Sequence, residues 1–150
     1  MKMKISKDKF YEICKIYENN KSIFFLPKYN QEKSTKKIYC YNHSFLNAIS
    51  HTKKFKSEFS NMVFLELINK YEEIYYLDNI DFYIKSKNIA IVPIPFFNTF
   101  LTGNLIKKII KNAYELNINE INIVTISNNE KINDPKIKLN VIPFYEWALS

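Results

Sequence analysis

The stretch YYLDNIDFYIKSKNIAIVPIPFFN, Tyr75 to Asn98, decides the fold. Its apolar runs are short and rich in isoleucine, tyrosine and phenylalanine, the residue types that suit a pleated, half-buried surface. EEIYYLD and IDFYIKS read as two strands around a turn at Asp78-Asn79, and NIAIVPIP follows as a third. The third run carries no charge and shows no polar alternation, the pattern of a central strand buried on both faces. Asp81 stands inside the second run, IDFYI. Its presence raises the question of what faces it from the next strand.

Upstream, KKFKSEFSNMVFLELINKY reads as a helix whose expected inner face is Phe55, Phe59, Met62, Val63, Leu65, Glu66 and Ile68. Downstream, TGNLIKKIIKNAYELN reads as an amphipathic helix capped by Thr102 or Asn104. Leu105, Ile109, Ile110, Ala113 and Leu116 are expected to face the core. EINIVTIS reads as a buried strand, NNEKINDPK as a turn, and LNVIPFYEWAL as a last strand entering a short helix. A helix joining two buried strands predicts a parallel pair and an α/β architecture. No internal repeat or low-complexity linker interrupts it.

At the N-terminal side, SKDKFYEICKIYENN reads as a helix capped by Ser6, with Phe10, Ile13, Cys14 and Tyr17 on one face. SIFFLPKYN and KIYCYN read as strands around the polar loop QEKSTKK, and HSFLNAIS as an apolar turn or helix. Helix, strand, loop, strand is the tail of a winged-helix pattern, without the helices that precede it in a complete one.

The 150 residues suffice for one ordinary core, and 47% hydrophobic content excludes a disordered chain. Twenty-two basic against 15 acidic residues give a formal charge of +7, which permits a nucleic-acid partner. The basic candidates for DNA contact are Lys33, Lys36, Lys37, Lys53, Lys54 and Lys56. Cys14 and Cys40 form no metal-binding or redox spacing and read as reduced thiols of a cytoplasmic protein. His43 and His51 have no third ligand and read as surface or capping residues. No apolar segment reaches the length of a membrane span, so no membrane partner is expected. No signal-peptide pattern is visible at the start.

Three strings in order resemble one family. KKIYCYNHSFLNAIS, SNMVFLELINKYEEIYYLDNIDFYI and VIPFYEWAL look like segments of the C-terminal restriction-endonuclease-like, or PD-(D/E)XK-like, domain found after the P-loop ATPase and winged helix of certain prokaryotic AAA-type ATPases. The resemblance implies a restriction-endonuclease-like mixed sheet flanked by helices over residues 51–150. Ahead of it, residues 1–50 would be a partial winged-helix tail and connecting segment. Asn42 stands at the family's usual acid and Ser44 at its usual glycine.

A PD-(D/E)XK nuclease holds Mg²⁺ with acids from a helix and two strands and keeps a lysine near the attacking water. Asp81 matches the strand acid and is the only candidate retained. The helix acid falls on Ser60, and Glu58 lies about 200° around the helix from that position. The next strand offers Val92, Pro93, Ile94 and Pro95, with no carboxylate, amide or lysine. No metal site is therefore expected, and Mg²⁺ would be a cofactor only for an active nuclease. Asp81 is expected to take backbone N–H groups or a lysine, and Glu66 to bond a tyrosine or lysine. No GxxxxGK[ST] loop occurs, and Gly103 is the only glycine. The chain thus reads either as a domain of a longer ATPase or as the product of a shortened or split gene. The implied function is a non-catalytic accessory domain of an AAA-type ATPase system. Its expected partners are DNA, an ATPase domain or a second copy of itself.

Overall fold

The computed structural model describes residues 6–31, 33–42, 55–132 and 134–150. His43, Ser44, His51, Lys53, Lys54 and the HSFLNAIS segment lie outside them. Helix α1 (Lys7–Asn19) leads to strands β1 (Ile23–Leu26) and β2 (Lys37–Cys40). Helix α2 (Phe55–Lys70) precedes β3 (Ile74–Leu77), β4 (Ile80–Ile84) and β5 (Ile89–Pro93). Helix α3 (Thr99–Glu115) is followed by β6 (Glu120–Thr125), β7 (Glu130–Ile132), β8 (Lys138–Pro143) and α4 (Phe144–Ala148).

The main sheet has six strands in the order β3-β4-β5-β6-β8-β7. It is mixed: β3, β4 and β5 form an antiparallel meander, and β5-β6 and β6-β8 are parallel. The α/β architecture expected from the sequence is present, with α3 as the crossover between β5 and β6. The β1-β2 hairpin is antiparallel, and its exit touches the sheet edge, where the Tyr29 N–H donates to the Tyr76 carbonyl at 3.0 Å and the Tyr76 N–H to the Pro27 carbonyl at 3.0 Å.

Asparagine takes the turns that glycine usually takes. Asn30, Asn79, Asn88 and Asn117 all have φ between 53° and 62°, left-handed values that asparagine tolerates best after glycine. Asn79 closes the β3-β4 turn expected at Asp78-Asn79. Asn117 ends α3, where the Ile118 N–H donates to the Ala113 carbonyl at 2.9 Å.

Strand alternation splits the core in two. Ala90, Val92, Ile121, Ile123, Leu139 and Val141 pack with Ile106, Ile109 and Ala113 of α3. Ile84, Ile91 and Val124 pack with Phe59, Val63, Phe64 and Leu67 of α2 and with Trp147 of α4. β5 is covered on both faces, which is why it carries no polar residue, whereas β6 is apolar toward α3 through Ile121 and Ile123 and places Glu120 and Asn122 between them on the other face.

Four expectations need correction. The inner face of α2 is Phe59, Ser60, Asn61, Val63, Phe64 and Leu67, whereas Phe55 and Met62 are exposed. The helix is apolar around most of its circumference, so periodicity did not fix its rotation. In α3 the core is reached by Ile106, Ile109 and Ala113, while Leu116 lies past the helix end and is exposed. The helix starts at Thr99, so Thr102 is internal and its hydroxyl donates back to the Asn98 carbonyl. Within NNEKINDPK, residues 130–132 form β7, a short strand antiparallel to β8.

What fixes α2 is Asn61. Its Oδ1 accepts from the Cys40 N–H at 2.8 Å and its Nδ2 donates to the Cys40 carbonyl at 2.7 Å. The side chain is 1% exposed. Rotating α2 would still bury apolar surface, but it would strand these groups at about 1–3 kcal/mol each. Asn61→Ala is therefore expected to cost about 2–4 kcal/mol, measured by urea unfolding, with Asn61→Asp at least as costly. A loss within 0.5 kcal/mol for the alanine variant would contradict this assignment.

Candidate functional site

Asp81 is the second residue of β4. The β4-β5 register runs Ile84↔Ile89, Tyr83↔Ala90, Phe82↔Ile91 and then stops. One step further along that register, Val92 stands opposite Asp81. Pro93 follows; the Ile94 N–H donates to Val124 of β6 at 2.8 Å, so the Pro93 nitrogen faces the β4 side, where pairing has ended. A proline is tolerated there because no ladder donor is required.

The group that faces Asp81 comes from another direction. The Lys37 ammonium in β2 lies 3.0 Å from Asp81 Oδ1 and 4.9 Å from the centre of the Tyr76 ring. The lysine side chain is 37% exposed and the aspartate 23%. Two residues on, Tyr39 stacks on Phe64 with centroids 4.2 Å apart. Burial, reinforced by the nearby Asp81 charge, pushes the Tyr39 phenol well above its ordinary range. Burial also pushes the Cys40 thiol up. Ser60 of α2 is 8% exposed. Glu66 is half-buried and makes no hydrogen bond or ion pair among the described residues, contrary to the expected tyrosine or lysine partner. Among the described residues no group of three or more His, Cys, Asp or Glu side chains is placed to hold a metal ion.

Of the basic candidates, Lys33, Lys36, Lys37 and Lys56 are among the described residues. Lys37 is committed to Asp81. Lys36 lies 6.0 Å over the Phe25 ring. Lys33, Lys36 and Lys56 are exposed, the first two on the β1-β2 loop and the last at the start of α2. No described helix is long and apolar enough to cross a membrane.

At the opposite end of the same strands lies a groove of about 530 Å³ that sequence reading missed. Its floor is a polar quartet. Register pairs Glu120 with Lys138 and Asn122 with Asn140 across β6 and β8. Asn140 Nδ2 donates to Glu120 Oε1 at 3.1 Å and to Asn122 Oδ1 at 2.9 Å, and the Lys138 ammonium to Glu120 Oε2 at 3.2 Å. Trp147, Tyr71 and Ile89 contribute to its walls, and Lys70 donates from the rim to the Ala148 carbonyl at 2.9 Å. The available signal was the shared E-x-N and K-x-N spacing in two strands otherwise read as apolar.

The Lys37–Asp81 pair is half-exposed, so a double-mutant cycle with Lys37→Met and Asp81→Asn should give a coupling of about 1 kcal/mol or less. Tyr39 gives a pH dependence. The folded protein keeps this proton to higher pH than the unfolded chain, whose phenol titrates near 10. Stability should therefore be intact below that pH and fall as pH rises past it. Ultraviolet phenolate titration should show a late component that Tyr39→Phe removes; an unchanged titration curve would exclude this.

Compared with known proteins, the chain matches no protein-family model, no curated protein and no solved structure.

Proposed function

We propose that this chain is a non-catalytic accessory domain of an AAA-type ATPase system, built on a restriction-endonuclease-like sheet and contacting DNA or a protein partner. One observation carries the non-catalytic part. The single acid of the nuclease-like pattern is neutralised by Lys37 at 3.0 Å, and the adjoining strand presents Val92 and Pro93 instead of a carboxylate and a lysine. Without two or more acids converging on one point, a divalent ion has too few ligands to activate water. The order α2, three strands, α3, strand, with a parallel β5-β6 pair, supports the nuclease-like reading.

A specific observation favours protein contact over DNA. Helix α1 buries none of its residues, and Phe10, Tyr11, Ile16 and Tyr17 are 44–58% exposed. Exposed aromatic surface of this extent marks interaction sites more often than solvated faces. The DNA reading draws on the +7 charge and on Lys33, Lys36 and Lys56.

Fluorescence anisotropy of a labelled duplex separates these readings, run at low and physiological salt with Mn²⁺ and followed by a denaturing gel. Binding that weakens steeply with salt and leaves the DNA intact supports the DNA contact. No binding even at low salt removes it and leaves the protein contact, for which Phe10→Asp should abolish any self-association seen by sedimentation. Cleavage that Asp81→Ala abolishes would overturn the non-catalytic proposal.

A further inference from the structure

The groove above the ends of β6 and β8 has an unused recognition edge. Glu120 can only accept hydrogen bonds, so the Asn140 amide must turn its nitrogen toward it. Asn122 then presents its oxygen to that same nitrogen. This leaves the Asn122 amide nitrogen and the Asn140 amide oxygen over. Neither makes a hydrogen bond among the described residues, although Asn122 is only 8% exposed. Both side chains line the groove. Neither atom is sealed among protein atoms, so both are open to a ligand in the groove.

We propose that this groove binds a nucleobase. Asn122 supplies a donor and Asn140 an acceptor on neighbouring strands, side by side in register. Each of the common bases carries an acceptor next to a donor on one edge, and paired amide groups are suited to reading it. The surroundings suit a flat ring. Half-buried Tyr71 and Ile89 give apolar and aromatic wall over buried Ile91, and the Lys70 ammonium lies 5.7 Å over the Trp147 ring beside them. The groove volume of about 530 Å³ lies within the usual range for small-molecule sites. Lys138, its side chain 67% exposed, stands beside the quartet, where the sugar or phosphate of a nucleotide would leave toward solvent. The site lies at the other end of β4 and β5 from Asp81 and does not rest on the accessory-domain reading.

The test uses the full chain and its single tryptophan, Trp147, which lines the groove. Adenosine, guanosine, cytidine and uridine are titrated separately while tryptophan emission is followed. At least one should give a saturable change with a midpoint below about 1 mM. Asn122→Leu and Asn140→Leu should each weaken that binding about tenfold or more, a loss expected when one good hydrogen-bond pair is removed. Should either variant fold poorly by circular dichroism, the side-chain amide resonances of Asn122 and Asn140 in the unaltered protein give the same answer, since both should shift on titration. A short single-stranded oligonucleotide run in parallel distinguishes sources: binding tenfold tighter than the nucleoside assigns the groove to a base presented on a strand, and equal binding to a free nucleoside. No saturable response to any of the four at about 10 mM, or unchanged affinity in both folded variants, overturns the proposal.

Discussion

The structure hangs on one side-chain amide. Asn61 meets both backbone groups of Cys40, so it acts as one more rung of strand pairing, supplied by a helix. Apolar burial alone leaves α2 free to turn, because its hydrophobic residues run around most of its surface. The amide has a single satisfied orientation, and a buried polar group pays heavily for any other. With α2 held there, Phe64 reaches Tyr39 and Phe82, β2 is drawn against the helix, and Lys37 arrives at Asp81. The geometry around Asp81 thus follows from a contact 21 residues apart in the chain.

Much of the architecture was legible in the sequence, for local reasons. The meander announces itself through Asp78-Asn79 and the short runs on either side. The parallel pair follows from two largely apolar strands separated by an amphipathic helix. The failures are physical as well. The face of α2 was unreadable because its pattern does not choose one. β7 was unreadable because a three-residue edge strand is held by pairing with β8 rather than by its own burial or propensity. Leu116 fits the helical repeat, but the chain leaves the helix at Asn117 before that side chain can be covered.

The candidate site divides in the same way. Asp81 and the uncharged strand opposite it can be read from the strand pattern, because register within a meander is short-range. Its partner Lys37 lies 44 residues away and was counted with the DNA-contacting lysines. The polar quartet was missed for a third reason: Glu120, Asn122, Lys138 and Asn140 form a unit only once β6 and β8 are known to be parallel neighbours in that register. One sheet therefore carries a closed corner at one end and an open polar groove at the other.

The borders of the sheets have a consequence for association. β3 is overlaid by the chain at Lys28, β2 has its outward backbone groups at Cys40 taken by Asn61, and β7 is only three residues long. A chain with 47% hydrophobic residues thus offers little flat backbone border among its described residues on which another strand could dock. Strand-to-strand growth of the kind that seeds aggregates is disfavoured at these three borders, and contacts with other molecules there are left to side chains.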